Sequence, residues 1–236
     1  MSETYQFSLP LVAAAQAQKH VTVNDALSRL DAVAQLRVIS TVLATAPGSP
    51  VDGQAYIVAG SATGVWAGHE GEVAIFLNGG WIFITPLEGW SAWDETSGAR
   101  LLFDGQYWHE GGITHSAGGA VTVAGVAEID HVIGAGASSV TANVIPAGCV
   151  VTGVTGRVIA AISGPTDWSL GISGSLSQYG SGFGVGLNSF ANGVSSSPQA
   201  FYADTPLELT ANGGAFASGT VRLAVHYTQL ITPRSV

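Results

Sequence analysis

The stretch TVRLAVHYTQLI, residues 220–231, alternates apolar and other side chains along its length. Its apolar positions are Val221, Leu223, Val225 and Tyr227, and the positions between them include Arg222, His226 and Thr228. Successive side chains of a β-strand point to opposite faces of the sheet, so this period of two indicates a strand with one buried face. It predicts that the C-terminal half of the chain is built from strands.

Further strand candidates recur at intervals of about ten residues between turn residues such as Ile145-Pro146-Ala147-Gly148. They span residues 120–127, 131–133, 139–144, 150–162, 167–172, 182–187, 198–202 and 207–210. Many short strands at this spacing are typical of a β-sandwich, and we predict a jelly-roll-like sandwich over 120–236. Glycines alternate from Gly180 to Gly186, which indicates tight packing by a neighbouring strand or subunit; a ligand cleft is the alternative.

Residues 46–110 contain a second group of short strand candidates, at 54–58, 72–77, 81–85, 99–103 and 106–109. Asn78-Gly79 and Asp104-Gly105 lie between apolar runs and are strong hairpin signals. We therefore predict a small antiparallel domain of two hairpins. It is rich in aromatic residues, namely Trp66, Trp81, Trp90, Trp93, Tyr107 and Trp108. We attribute these to core packing, with a sugar-binding platform as the alternative.

A glycine-rich run, GGITHSAGG at 111–119, is the predicted linker between this domain and the sandwich. On the other side, the prolines and glycines of APGSPVDG at 46–53 end a helical segment over residues 1–45. The predicted organisation is therefore a helical segment, a small β domain, a linker and a C-terminal β-sandwich, and the chain as a whole is mainly β.

The helical segment is predicted from residues that recur every three to four positions. They are Val23, Ala26, Leu27, Leu30, Val33 and Ala34. Asn24 is a good N-cap residue, so we expect a helix over 24–37, with a first short helix over 9–19. The apolar face suits either a core or a short coiled coil between copies of the chain.

The composition restricts the partners. The net charge is −9, and the seven basic residues are scattered singly, which disfavours nucleic acid and anionic membrane surfaces. Charged residues make up 10% of the chain, against roughly 25% in ordinary domains. The mean hydropathy is +0.36, yet the sequence has no apolar run long enough to span a membrane. We expect such a chain to bury surface against its own copies, as in a homotrimer.

No catalytic, nucleotide or metal-ligand motif occurs, so the sequence predicts no catalytic residues, no metal and no cofactor. Glu128, Asp130 and His131 are close in sequence, but in a strand His131 points away from the other two. Paired carboxylates could serve glycoside hydrolysis, although their separation in space decides that chemistry. Cys149 lies in an apolar context and is predicted to be a buried, unreactive thiol. We expect a binding protein and not an enzyme.

The string LPLVAAAQAQKHVTVNDALSRLDAVAQL, residues 9–36, resembles the N-terminal signature of a domain family of unassigned function found in prophages and gene transfer agents. The matching positions are Leu9, Pro10, Gln16, Gln18, Lys19, His20, Asn24, Ala26, Leu27, Leu30 and Asp31. Members sit in phage tail fibres or head spikes. The resemblance implies a virion protein on the particle surface, made in the bacterial cytoplasm, that docks on other particle proteins; we assign the docking to Leu9, Gln16, Lys19 and His20.

The C-terminal half resembles a domain at the C-termini of phage-like tail and spike proteins, through IPAGCVVTGVTGRV at 145–158 and PLELTANGGAFASGTVRLAVHY at 206–227. The two resemblances imply host cell adhesion, with receptor binding to a capsular polysaccharide. Carbohydrate binding needs an aromatic face and neutral hydrogen-bonding groups, and the sandwich offers several such residues. We select Trp168, Tyr179, Asn188 and Tyr202, from a wider set that includes Gln178, Phe183, Phe190 and Asn192. A polysaccharide-degrading spike and a purely structural connector are the alternatives.

Overall fold

The computed structural model describes residues 3–13 and 19–235. These residues are mainly β, with several antiparallel sheets and a short N-terminal helix, which confirms the predicted fold class. The chain divides into two compact units, Met1–His115 and Ser116–Val236, and the division lies within the range predicted as linker. Four residues of that range form a strand, Gly112–His115.

The first unit begins with helix α1, Lys19–Ala34, followed by β1 Arg37–Val38, β2 Ala55–Ile57, β3 Val73–Leu77, β4 Gly80–Ile84, β5 Ser91–Asp94, β6 Ala99–Phe103, β7 Trp108–Glu110 and β8 Gly112–His115. One sheet has the order β1-β5-β6-β7, with β1 and β5 parallel, and another has the order β2-β3-β4. Strands β1 and β5, of two and four residues, were not predicted. The helix and both sheets share one core, to which Ala32, Val38 and Ile75 belong.

Both predicted hairpins of the first unit are present. Asn78 and Gly79, with φ of 53° and 77°, form the two-residue turn between β3 and β4. Asp104 and Gly105 begin the turn between β6 and β7. Core packing is confirmed for Trp66, which is fully buried with its ring centroid 5.0 Å from that of Trp81. Trp93, by contrast, is about half exposed.

The helix starts five residues before the predicted position and ends earlier. Asn24 therefore does not cap it: its side-chain oxygen accepts a hydrogen bond from the amide of Val12, and its side-chain nitrogen donates to the Val12 carbonyl. The predicted first helix over 9–19 is wrong for residues 9–13, where a bridge between Glu3 and Pro10 folds the chain back; residues 14–18 lie outside the described part.

Most of the predicted apolar helix face points away from the core. At about 100° per residue, Val23, Leu30 and Ala34 lie on one side of α1, and all three are exposed. Asp31 and Ala32 lie on the other side and are buried. Val33, at the edge of the predicted face, is half-buried and packs against the core, so the face covers the unit's own core only in part.

The second unit contains β9 Val121–Val132, β10 Ser138–Ile145, β11 Cys149–Ser163, β12 Asp167–Gly171, β13 Phe190–Phe201, β14 Thr205–Asn212 and β15 Ser218–Ile231. The large sheet of this unit runs β13-β11-β15-β9, and the small sheet runs β10-β14-β12. Both sheets contribute to one core that includes Val154, Leu170, Leu209 and Leu223, so the unit is a β-sandwich. Successive strands alternate between the sheets, and this order matches a jelly roll.

An irregular segment replaces an eighth strand beside β12. Trp168 and Phe183 exchange main-chain hydrogen bonds of 3.1 and 2.9 Å there. The strand predicted over 182–187 is therefore wrong, and so is the glycine-lined strand face: Gly180 and Gly182 have positive φ, and a side chain at Gly180 would meet the Phe183 ring. The predicted strands at 120–127 and 131–133 are one strand, β9.

Candidate functional site

The large sheet of the second unit has an exposed side, which we call the outer face and define by Phe190, Asn192, Thr155, Arg157, Arg222, Ala224, Glu128 and Asp130. These positions alternate along their strands with buried residues such as Val158, Ala191, Val221 and Leu223. The apolar alternation of each strand therefore decides which residues face outward.

The outer face consists of two rows that cross the sheet. In the first row, Arg157 pairs with Phe190 on one side and with Arg222 on the other, and Arg222 pairs with Asp130. In the second row, Thr155 lies between Asn192 and Ala224, and Ala224 pairs with Glu128. Paired residues in an antiparallel sheet project their side chains on the same side, within contact distance of each other.

The short side chain of Ala224 leaves a shallow concavity between the longer side chains. Its volume is about 380 Å³, and it is open to solvent. It is lined by Glu128, Thr155, Gly156, Arg157, Phe190, Ala191, Asn192, Arg222 and Ala224. An aromatic ring, an amide, a hydroxyl and charged groups therefore surround one depression.

Arg222 is fixed by two carboxylates. Its Nε and a terminal nitrogen each donate to Asp130 at 2.7 Å, and Glu128 lies 3.5 Å from its Nε. The hydrogen bond from Arg222 holds the pKa of Asp130 below its ordinary value and raises the pKa of Arg222. Asp130 is thus an ionised partner of Arg222, which suits binding and does not suit proton donation.

Arg157 is placed differently. Its guanidinium lies 5.8 Å from the centroid of the Phe190 ring, and it donates a 2.9 Å hydrogen bond to the Asn188 carbonyl. Phe190 is 66% exposed. Next to this pair, Thr155 Oγ1 lies 3.0 Å from His226 Nε2, so the hydroxyl is positioned by a side chain of the neighbouring strand.

The four selected glycan-binding residues are not brought together. Trp168 and Tyr179 are buried, and this corrects their assignment as a sugar platform. Trp168 packs against Phe183 and donates its ring N–H to the Gly184 carbonyl at 3.1 Å, so its aromatic face belongs to the core. Burial raises the pKa of Tyr179 to about 12.

Asn188 and Tyr202 are exposed. Asn188 adjoins the outer face through its carbonyl, whereas Tyr202, although 90% exposed, does not line the concavity. Of the wider candidate set, Phe190 and Asn192 belong to the outer face. Sequence reasoning missed Arg157, and although it placed Arg222 on the polar side of its strand, it gave it no role.

The residues predicted to dock on other particle proteins belong to the first unit. Leu9 is half-buried, and its main chain bonds to Thr4 in both directions, at 2.9 Å each. Lys19 begins α1, and Gln16 lies outside the described residues. His20 is half-buried, and among the described residues its Nδ1 is buried without a hydrogen-bond partner.

Other predicted features have clear positions. Cys149 is buried, and burial raises the pKa of its thiol. His131 points away from Glu128 and Asp130, as predicted, and its Nε2 lies 2.8 Å from Ser139 Oγ. The described residues contain no cluster of three or more His, Cys, Asp or Glu side chains suited to a metal ion. No helix within 3–13 or 19–235 is long and apolar enough to span a membrane.

Comparison with solved structures finds a likeness to a chain of the cyanophage Pam1 capsid asymmetric unit. The two are 21% identical with a TM-score of 0.36, and the match covers 50% of this chain and 90% of the capsid chain. No curated protein matches the sequence. Residues 23–109 match the family described as "Protein of unknown function (DUF2793)". This match bears out the family resemblance from residue 23 on and does not extend to Leu9, Gln16, Lys19 and His20.

Proposed function

We propose that this protein is a fibre or spike subunit of a phage-like particle, either a gene transfer agent or a tailed phage, that attaches the particle to a cell-surface polysaccharide. The observation that carries the proposal is the outer face. An exposed aromatic ring, Phe190, borders a concavity lined by the hydrogen-bonding side chains of Asn192, Thr155 and Arg157.

Sugars are recognised by these two kinds of group together. The C–H side of a sugar ring packs on an aromatic face, while hydroxyl groups exchange hydrogen bonds with amide, hydroxyl and guanidinium groups around it. The outer face places both kinds on a rigid sheet, so little side-chain ordering is needed on binding. Arg222 holds Asp130 in its ionised form, so Asp130 is unsuited to be the proton donor of glycoside hydrolysis, and we propose a binding site.

The first unit would fix the subunit to the particle. It contains residues 23–109, which match the DUF2793 family, and we propose that Leu9, Gln16, Lys19 and His20, which precede this match, contact the particle. A surface suited to a protein partner is also present, since the half-exposed Trp93 lies between Arg37 and Arg100 across three strands. Trp and Arg are the residue types that most often anchor protein interfaces.

We further propose that the subunit is a homotrimer joined through α1. Val23 and Leu30, respectively 44% and 56% exposed, lie with Ala26 and Ala34 along the outward side of the helix. Their spacing of three and four residues is that of a coiled-coil seam. Three copies would present three outer faces, which multiplies weak sugar contacts through avidity.

Binding of the full-length protein to immobilised capsular polysaccharides tests the proposal. We expect wild-type protein to bind at least one polymer, and Phe190→Ala to weaken that binding about tenfold or more, because the stacking surface is lost. Tyr107→Ala, which removes an exposed aromatic from the first unit, should leave it unchanged. Wild-type affinity in Phe190→Ala, or no binding to any capsule, would overturn the proposal.

The same samples separate the two other functions. New reducing ends after incubation with a bound polymer would identify a polysaccharide-degrading spike. Particles that carry Phe190→Ala and still adhere to cells at the wild-type level would identify a structural connector.

A further inference from the structure

Two arginines lie directly opposite each other on the outer face. Arg157 on β11 and Arg222 on β15 are register partners in the antiparallel pair. Like charges in directly opposite positions destabilise a sheet unless other groups compensate them. The compensation is uneven at this pair.

Arg222 is fully compensated, since Asp130 accepts two hydrogen bonds from it and Glu128 completes an ion pair. Among the described residues, no carboxylate lies within ion-pair distance of Arg157. Its guanidinium instead contacts the Phe190 ring and the Asn188 carbonyl. Arg157 therefore keeps an uncompensated positive charge beside the concavity.

The guanidinium of Arg157 is also held in place. A guanidinium presents five N–H donors in a planar fork that matches a carboxylate. The hydrogen bond to Asn188 uses one terminal nitrogen, and the guanidinium carbon lies over the Phe190 ring. The remaining donors are free to receive an anion without further ordering of the side chain.

The surrounding charge permits an anionic ligand despite the acidity of the whole protein. Residues 116–236 carry five acidic and three basic side chains, a formal charge of −2 out of the total of −9. Arg222 carries one positive charge against the two negative charges of Glu128 and Asp130, so with Arg157 the four charged groups of the outer face sum to zero. Among these four groups, Arg157 is the one without an ion-pair partner among the described residues, so the positive end of the set lies at its guanidinium.

We infer that the outer face recognises an acidic saccharide, with the carboxylate of a uronic-acid-type unit on Arg157 and the sugar ring on Phe190. This inference rests on the proposed polysaccharide binding and adds the chemical class of the ligand. Asn192 and Thr155, which line the same concavity, supply hydrogen bonds to the neutral hydroxyl groups. The carboxylate of the ligand would form the ion pair that Arg157 does not form with any described residue of the chain.

The test measures binding of the full-length protein to polygalacturonate, alginate and hyaluronate, to the carboxyl-reduced form of each, and to neutral dextran and galactomannan. We expect at least one acidic polymer to bind and its carboxyl-reduced form to bind about ten- to a hundredfold more weakly, as for loss of a charge-assisted hydrogen-bonded pair. Arg157→Gln should cause a similar loss toward the acidic polymer and little change toward its reduced form.

Two readouts show that such a loss is not caused by misfolding. Arg157→Gln should have the thermal midpoint of wild type or a higher one, because it removes a like charge opposite Arg222. Raising NaCl from about 50 to 500 mM should weaken wild-type binding severalfold and leave the residual binding of Arg157→Gln nearly constant, since salt screens ionic contacts. Arg157→Lys keeps the charge without the planar fork, so its affinity for the acidic polymer should lie between those of wild type and Arg157→Gln.

The outcomes separate the two proposals. If neutral or carboxyl-reduced polymers bind as well as acidic ones, or if Arg157→Gln binds acidic polymer like wild type, the acidic-saccharide inference is overturned and polysaccharide binding stands. If none of the acidic, reduced or neutral polymers binds, both fail.

Discussion

The hydroxyl of Thr4 lies 2.6 Å from the Asp31 carboxylate, and both residues are buried although 27 positions separate them in the chain. The same carboxylate accepts hydrogen bonds from the amides of Gln6, at 2.7 Å, and Phe7, at 2.8 Å. Asp31 therefore attaches the segment before the helix to the inner side of α1. Asp31 is one of the positions that carry the family resemblance, and this contact gives it a physical role.

We expect Asp31→Ala to destabilise the first unit by about 2–3 kcal/mol, because a buried hydroxyl and two amides lose a charged acceptor. Urea denaturation followed by tryptophan fluorescence is suitable, since five of the six tryptophans lie in the first unit. Asp25→Ala is the control: it breaks only the exposed pair with Arg29 and should cost about 0.5 kcal/mol or less. Equal losses in the two variants would contradict the attachment.

Asp104 makes the first unit sensitive to acid. Burial opposes its ionisation, but hydrogen bonds from the amides of Tyr107 and Gln106 and from His109 outweigh burial, so its pKa lies below the ordinary value. A carboxyl group whose pKa is lower in the folded than in the unfolded protein stabilises the folded state. This stabilisation is fully present at a pH above the unfolded pKa, about 3.9, and it is lost as the pH falls through the folded pKa.

We therefore expect Asp104→Asn to destabilise the unit by about 1–2 kcal/mol at neutral pH, with the difference from wild type shrinking below about pH 4. Urea denaturation at a series of pH values measures this. Glu110→Gln, at the exposed end of β7, controls for removal of a carboxylate. A difference that stays constant down to about pH 2 would show that Asp104 acts through packing alone.

Tyr179 is buried with a hydroxyl that has no hydrogen-bond partner among the described residues. Tyr179→Phe should consequently leave stability unchanged or raise it by about 1 kcal/mol, because an unpaired buried polar group is removed. Tyr179→Ala should cost about 3–5 kcal/mol through the cavity it leaves. Calorimetry of both variants measures the two effects. A marked loss in Tyr179→Phe would indicate that the hydroxyl is paired.

Leu30 lies at the centre of the exposed apolar side of α1. We expect Leu30→Glu to convert the proposed trimer to monomers, because three carboxylates would meet at the seam. Light scattering coupled to gel filtration measures the mass. Arg29→Glu adds negative charge at the neighbouring exposed position outside the seam and should leave the trimer intact. A wild-type monomer, or an unchanged trimer in Leu30→Glu, would exclude α1 as the trimer contact.

Local patterns were sufficient for much of the fold. The alternation of β15 and the hairpin at Asn78-Gly79 follow from side-chain direction and turn conformation within a few residues, so the sequence could predict both. Helix α1 was also predictable from its spacing, although its start was not, because Asn24 bonds to Val12 and does not cap the helix. Strand β1 has only two residues, which is too few to show any alternation.

The candidate site depended on distant parts of the chain. The sequence by itself determined that Arg222 would face outward from its strand and that Val221 and Leu223 would be buried. Only the tertiary structure decided that Arg157 lies between Phe190 and Arg222, and that Trp168 and Tyr179 lie in the core. The physical reason is that side-chain alternation is a local property of each strand, whereas the choice of neighbouring strands and of the covered helix side follows from packing the whole unit.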